Sequence, residues 1–216
     1  PLPVGLALVN MPQEYEQWAS WGASKPKDII RVGINLGAPG DRVDSNGTLW
    51  LDEPSVGGPS PAISVSITPA ETRYRYRHSL WITGGRGWPW VCASGASDLS
   101  SLTLKGLRKG RFTLRLYFAE LEDRKAGERV FDVFAEDKKL LDSFDIAAQA
   151  GSPLRGVVKE FPGMSVDGAL DLRFSARRGR TLLCGIELIA DDLEPGKIFS
   201  LERKKAGHRL IRAGKR

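Results

Sequence analysis

The sequence has few of the residues on which metal sites are usually built. Its 216 residues include only two cysteines and two histidines. Cys92 and Cys184 lie in opposite halves of the chain, without the close spacing of a zinc site and without paired histidines to complete one. We therefore predict no metal. The two cysteines either form one disulfide in an oxidising compartment or stay as free, buried thiols, which the apolar neighbours Leu182 and Leu183 favour.

Residues suited to general acid and base chemistry near neutral pH are equally scarce. His208 lies close to the C-terminus, and His78 is followed by Ser79. On a strand these two neighbours point to opposite faces, which argues against a nucleophile and base pair. No spacing places two carboxylates across a cleft, as glycoside hydrolysis requires. We predict no catalytic residues, and hence that the chain is not an enzyme.

Long apolar runs and a dinucleotide fingerprint are also missing. No stretch approaches the roughly 18 apolar residues of a membrane-spanning helix, so we expect no insertion into a membrane. The glycine-rich segment Thr83–Gly87 does not follow a strand and open a helix, as a nucleotide-binding turn must. We therefore predict no cofactor.

The net charge of +6 is concentrated at one end of the chain. Residues 201–216 hold seven Lys or Arg and one acid, so the rest of the chain is neutral overall. A basic terminus of this kind is more often solvated than ligand-binding. We interpret residues 192–216 as a basic C-terminal tail and predict no binding of nucleic acid.

The sequence is rich in turn residues, with 24 Gly and 13 Pro between short runs of β-forming residues. Residues 29–36 alternate apolar with polar or small side chains, the period of two of a half-buried strand. At least eight strands fit between residues 29 and 190, with further runs at 64–67, 99–104, 111–120, 129–135, 138–144, 157–161, 170–174 and 182–189. We predict an all-β fold, an antiparallel β-sandwich of two stacked sheets over residues 29–191. Residues 1–28 are interpreted as an irregular extension, a linker or strap to an upstream domain.

The order of several motifs in this region resembles the malectin family. The motifs are Val32–Gly37, Asp44–Trp50, Tyr117–Glu120, Gly127–Val133, Phe144–Ile146, Asp167–Gly168 and Cys184–Leu188. The resemblance, which is to a bacterial member of this family, covers residues 29–191 and implies a malectin-like or jelly-roll sandwich. It further implies a non-catalytic carbohydrate-binding module of a larger secreted or periplasmic protein, with a carbohydrate or cell-surface polymer as its partner.

Two segments depart from the family's disaccharide site. Where malectin has an aromatic pair after the Phe-Ala-Glu element, this chain has Glu122 and Asp123. Where malectin carries an aspartate in an aromatic loop, this chain has the basic segment Arg177–Thr181. The known disaccharide site is therefore not expected here, since a fold can persist while its site is lost or moved.

A replacement site is predicted in the Arg- and aromatic-rich run Arg73–Trp90. Sugar binding needs aromatic faces for the ring and polar groups for the hydroxyls. The candidate ligand-binding residues are the stacking platforms Tyr76, Trp81, Trp88 and Trp90, with Arg86 or Asp41 for the hydroxyls. In the alternative interpretation these aromatics pack in the core or against a neighbouring domain or subunit, and the sandwich binds no sugar.

Two further groups of polar residues have structural interpretations. The run Asp41–Gly47 offers oxygen ligands at short spacing, but its twelfth position is Asp52 rather than Glu, so we favour an Asx-stabilised turn over calcium. Glu120, Arg129 and Asp132 fall on adjacent predicted strands, which favours a cross-strand ion pair over catalysis.

Overall fold

The computed structural model describes residues 31–55 and 63–192. The predicted linker at residues 1–28 and the basic tail beyond residue 192 lie outside the described residues. The strands are β1 (Arg31–Leu36), β2 (Arg42–Val43), β3 (Leu49–Glu53), β4 (Ser64–Thr68), β5 (Arg73–Tyr76), β6 (Ser94–Ser97), β7 (Ser101–Lys105), β8 (Gly110–Phe118), β9 (Val130–Ala135), β10 (Lys138–Asp145), β11 (Val157–Val166), β12 (Ala169–Arg178), β13 (Leu182–Leu183) and β14 (Gly185–Ala190). A 3-10 helix (Ser79–Trp81) and two short helices, α1 (Pro89–Cys92) and α2 (Ile146–Ala150), complete the regular structure.

These strands form three sheets. The larger two have the orders β11-β8-β14-β1-β3-β2 and β10-β9-β12-β7-β4, and a small third sheet has the order β13-β6-β5. Neighbouring strands in the described chain are antiparallel except β1 and β3, which run parallel. The structure confirms the predicted all-β sandwich and adds the third sheet to the expected two.

The core lies between the two large sheets. In β8 the apolar side chains of Phe112, Leu114, Leu116 and Phe118 are all fully buried and alternate with polar ones. Because of this period of two, one face of the strand packs in the core and the other face is directed away from it. Phe118 meets Phe131 and Phe144 of the other large sheet, with ring centroids 6.1 and 4.7 Å apart. The two sheets therefore pack face to face.

Two local predictions were wrong. The predicted strand at residues 182–189 breaks at Cys184, because β13 pairs with β6 in the small sheet whereas β14 lies between β1 and β8. His78 and Ser79 do not share a strand. His78 instead caps the 3-10 helix, its ring Nδ1 accepting a hydrogen bond from the Leu80 backbone N–H at 3.2 Å.

Both cysteines are free thiols buried in the core. The Sγ atom of Cys184 lies 3.8 Å from the backbone oxygen of Cys92. Burial raises the pKa of Cys92 to about 12 and raises that of Cys184 well above its usual value. The sequence left open either one disulfide or two free thiols, and the structure has two free thiols.

Candidate functional site

The outer face of the six-stranded sheet carries a row of polar and aromatic residues from six strands. Directly opposite one another across the sheet lie Arg42, Trp50, Gly33, Glu187, Arg115 and Glu160. Residues paired directly across neighbouring strands share one face of the sheet, and here that face is opposite the one on which Leu114 and Leu116 enter the core. The register of the sheet thus brings together side chains from distant parts of the sequence.

Glu187 lies at the centre of this row and is almost fully buried. Its carboxylate accepts hydrogen bonds from the Thr48 hydroxyl at 2.5 Å and the Tyr117 hydroxyl at 2.8 Å. Arg115 donates to it at 3.3 Å, and the Arg31 guanidinium forms an ion pair with it at 3.4 Å. A buried carboxylate needs such partners to offset its lost hydration. Burial, followed by the charge of Glu187, raises the pKa of Tyr117, so its phenol stays a hydrogen-bond donor.

Trp50 lies over the sheet and supports the aromatic groups above it. Its indole meets Tyr117 and Trp90 edge to face, with centroids 5.1 and 5.6 Å apart. Trp88 stacks on Trp90 at 6.2 Å, with 25° between the ring planes. The Arg42 guanidinium lies 4.4 Å from the Trp90 ring centre. These contacts hold the Trp88 ring in place before any ligand arrives.

The turn between β2 and β3 is held by Asp44. Its carboxylate accepts hydrogen bonds from the backbone of Asn46 at 2.8 Å and of Thr48 at 2.9 Å, and from the Trp50 indole N–H at 3.0 Å. The predicted Asx-stabilised turn is thereby confirmed. The turn places the exposed Asn46 next to the aromatic groups.

An open groove of about 300 Å³ lies where these elements meet. It is lined by the 86–88 loop, the β2–β3 turn and the outer faces of β8 and β11: Asn46, Arg86, Gly87, Trp88, Arg115, Tyr117, Val158 and Glu160. Trp88 is half-buried, so part of its ring faces the groove. Within the described residues, the Asn46 amide and the Arg86 guanidinium make no side-chain hydrogen bond or ion pair. Both groups are therefore available to a ligand.

The structure brings only some of the predicted site residues together. Arg86 and Trp88 line the groove, and Trp90 supports Trp88 from behind. Asp41 does not line it, and its carboxylate instead accepts a hydrogen bond from the Asp52 backbone N–H at 3.0 Å.

Tyr76 and Trp81 are both exposed, and Trp81 forms an exposed patch with its neighbour Leu80 in the 3-10 helix. The fractional exposure is 57% for both, and 81% for the nearby Leu80. Neither aromatic lines the groove.

Sequence reasoning missed most of the groove's framework. Trp50, Tyr117 and Glu187 lie within the motifs that resemble the malectin family, but nothing local marks them as neighbours. The available signal was the alternation of each strand, which assigns them to the face opposite the core. Their pairing across the sheet depends on register between strands far apart in sequence.

The chain was compared with known families. The model of the malectin domain matches residues 31–193, most of the described sandwich. The chain belongs to the malectin domain family. Solved structures agree in fold: the ANX2 ectodomain of Arabidopsis thaliana has a TM-score of 0.56 at 17% identity, covering 73% of this chain and 48% of that one. A β-glucuronidase of Bacteroides uniformis has a TM-score of 0.56 at 16% identity, covering 74% of this chain and 18% of that one.

Curated relatives match about a third of this malectin domain's chain, and the match is a small part of their own length. A probable leucine-rich repeat receptor-like serine/threonine-protein kinase of Arabidopsis thaliana is 35% identical over 81 residues, which cover 34% of this chain and 8% of the kinase. A second such probable receptor-like kinase of the same plant is 30% identical over 84 residues, covering 36% and 8%. The chain thus spans less than a tenth of the length of these relatives.

Ion pairs and hydrogen bonds hold the two segments predicted from the sequence to depart from the family's disaccharide site, at Glu122 and at residues 177–181. Glu122 accepts hydrogen bonds from Arg75 and Arg129, both at 2.6 Å. Burial would raise the pKa of Glu122, but these two arginines outweigh it and lower the pKa to about 2. Arg129 also donates to the backbone oxygens of Arg180 and Thr181 at 2.7 and 3.2 Å. Arg129 therefore links the Glu122 segment to the Arg180–Thr181 segment.

The predicted pairing of Glu120 with Arg129 is confirmed, since Arg129 Nε lies 2.7 Å from Glu120 Oε2 with both side chains buried. Asp132 does not join this pair. It binds Arg177 of β12 and Lys139 of β10 instead, at 2.8 and 3.1 Å. The reason is position: Asp132 lies within β9, whereas Glu120 and Arg129 lie in the connection between β8 and β9.

No three His, Cys, Asp or Glu side chains in residues 31–55 and 63–192 are grouped so that they could hold a metal ion. In the same part of the chain, no helix is long and apolar enough to cross a membrane.

Proposed function

We propose that this malectin domain is a non-catalytic carbohydrate-binding module and that the groove beside Trp88 holds the sugar. One observation carries the proposal. The half-buried indole of Trp88, held in place by Trp90, lines the same groove as Asn46 and Arg86, whose side chains have no hydrogen-bond partner in the described chain. A sugar ring presents an apolar face that stacks on an aromatic ring, and its hydroxyls need donors and acceptors around it. Trp88 supplies the platform, and Asn46 and Arg86 supply the polar contacts.

The rigidity of the groove supports this role. Trp88 rests on Trp90, Trp90 meets the edge of Trp50, and Asp44 holds the Trp50 indole by a hydrogen bond. A platform fixed before binding loses little conformational entropy when the ligand arrives. The volume of about 300 Å³ lies at the lower end of the range for small-molecule sites.

A secreted or periplasmic setting fits this role. The structural neighbour ANX2 is an ectodomain, and the curated relatives are receptor-like kinases. In those proteins the matching region is one part of a longer chain. We propose the same arrangement here, with the module attached to a larger protein outside the cytoplasm.

A glycan array followed by calorimetry on the 216-residue chain tests the proposal. The Trp88→Ala variant is expected to lose about tenfold or more in affinity for any glycan that binds, because a stacking contact contributes about 1.5 kcal/mol beyond its buried area. The matched control is Trp81→Ala, which removes an equally large aromatic outside the groove and should keep full affinity.

Because Trp88 also packs on Trp90, a loss of affinity in Trp88→Ala needs a control for misfolding, and a second variant supplies it. Asn46→Ala removes an exposed amide with no side-chain partner in the described structure and should weaken binding without lowering stability. Loss of affinity in Trp81→Ala but not in Trp88→Ala or Asn46→Ala would move the site to the exposed patch. Absence of binding to every glycan would overturn the proposal.

The exposed patch favours a second candidate function, packing against a neighbouring domain. Leu80 is 81% exposed beside Trp81, and an aliphatic side chain offers a sugar neither a stacking face nor a hydrogen bond. Under this proposal Trp81 would be quenched by acrylamide in the isolated 216-residue chain and shielded in a protein that carries the next domain. Equal quenching in both would contradict it.

A further inference from the structure

We propose that the groove selects acidic glycans, with the Arg86 guanidinium binding a carboxylate on the sugar ring. This inference rests on the proposed carbohydrate-binding function and names its ligand class. It follows from the charges on the groove: among the described residues the other charges are paired, whereas Arg86 has no charged partner.

Arg115 is already neutralised. Its Nε lies 2.6 Å from Glu160 Oε2, and one terminal nitrogen lies 3.3 Å from Glu187 Oε2. Burial alone would lower the pKa of Arg115, but its hydrogen bond to Glu160 and the charge of Glu187 raise it overall. Arg115 therefore stays charged and committed to its two carboxylates, and it has little charge left for a ligand.

Glu160 of the groove lining and the buried Glu187 are committed in turn. Glu160 is held by Arg115, and Glu187 is shared between Arg115 and Arg31. An incoming carboxylate would therefore meet acids whose charge is already offset. Arg86, exposed and without a side-chain partner in the described chain, is the uncompensated cation on the groove lining.

The backbone holds Arg86 in place. Its N–H donates to the Gly156 oxygen at 2.8 Å, and the Gly156 N–H donates to the Gly84 oxygen at 2.9 Å. The two segments approach so closely at Gly85 that a Cβ there would lie within 2.9 Å of three backbone atoms of Gly156. A side chain on a fixed backbone loses less entropy on binding than one on a free loop.

A second guanidinium adds to the positive potential. Arg155 lies against Gly84, with one terminal nitrogen 3.5 Å from the position a Cβ would take there. Like Arg86, it makes no ion pair or side-chain hydrogen bond in the part of the chain described. Two uncompensated cations beside one loop favour an anionic ligand over a neutral one.

The chemistry of arginine points to a carboxylate. Its planar fork of N–H donors matches the two oxygens of a carboxylate, and such charge-assisted bonds contribute about twice as much as bonds to a neutral hydroxyl. A uronic acid carries this carboxylate where the neutral sugar carries a hydroxymethyl group. A sugar ring stacked on Trp88 would bring that group within reach of the neighbouring side chain of Arg86.

The test compares short uronate oligomers with the same oligomers after each carboxylate has been reduced to a hydroxymethyl group. We expect the uronates to bind the 216-residue chain at least tenfold more tightly, with the preference falling as salt rises. Arg86→Gln should abolish the preference, so that the uronates and the reduced oligomers bind the variant with equal affinity, because a contact from Arg86 to a hydroxyl is lost equally for both forms. Arg73→Gln, which removes an exposed positive charge outside the groove, should change neither.

The outcomes separate this inference from the proposed function. Equal affinity for both forms, with binding still lost in Trp88→Ala, would overturn the acidic preference and leave the carbohydrate-binding role standing. A preference retained in Arg86→Gln would also overturn it. Absence of binding by either form would overturn both, and with them the assignment of the groove.

Discussion

Gly33 of β1 and Trp50 of β3 lie directly opposite each other in the parallel strand pair, and the indole of Trp50 covers the glycine. A Cβ atom on Gly33 would lie within 2.8 Å of three carbon atoms of that ring. The missing side chain is therefore what lets the indole lie flat on the sheet. From there it supports Trp90 and, through it, the groove.

The first prediction concerns this contact. Gly33→Ala should lower the free energy of unfolding by about 1–3 kcal/mol, because the added methyl overpacks a closed site. Chemical denaturation measures the change. Gly110→Ala is the matched control, since its Cβ would meet nothing closer than 3.6 Å. Equal stability of the two variants would show that Trp50 can move aside at no cost.

The second prediction concerns the buried pair of Glu120 and Arg129, whose side chains are 0% and 1% exposed. Arg129→Met should destabilise the fold by about 3–5 kcal/mol, because it leaves a carboxylate buried without its partner. The double variant with Glu120→Leu removes both charges. It should be more stable than Arg129→Met alone, and a double variant that is less stable would contradict this account.

The third prediction concerns acid stability through Glu122. Its folded pKa of about 2 lies below the ordinary value of 4.5, so it stabilises the fold fully above pH 4.5. That contribution fades as the pH falls from 4.5 toward 2. Urea denaturation across this range should show a smaller loss of stability in Glu122→Gln than in the unchanged chain. Parallel curves for the two proteins would show that Glu122 is not the group responsible.

The fourth prediction concerns the cysteines. Burial raises the pKa values of both thiols, and both side chains are enclosed, so neither should react with Ellman's reagent in the folded protein at pH 8. Unfolding in urea without reductant should release two reactive thiols. Finding none would mean that Cys92 and Cys184 are joined by a disulfide.

Much of the fold could be predicted because its signals are local. Alternation in residues 111–118 marks β8 and its two faces, and the spacing of such runs indicates a sandwich. The break at Cys184 could not be predicted in this way. Residues 182–190 are almost continuously buried, so apolar pattern alone does not show that the chain changes sheets there.

The candidate site was only partly predictable. Arg86, Trp88 and Trp90 stand out because aromatics and cations are concentrated in one short run. The same composition drew attention to Tyr76 and Trp81, which are exposed but do not line the groove. Composition identifies which residues are unusual, but it does not indicate which of them share a surface.

The sequence by itself indicated most of the long strands, the buried face of strands such as β8 and the resemblance to the malectin family. Only the tertiary structure decided that Glu187 lies beside Arg115, that Trp50 covers Gly33, and that Arg86 has no side-chain partner among the described residues. The physical reason is that a strand's periodicity is set by its own backbone. Register and charge pairing are instead set between segments far apart in the chain, and they exist only once the sheets have formed.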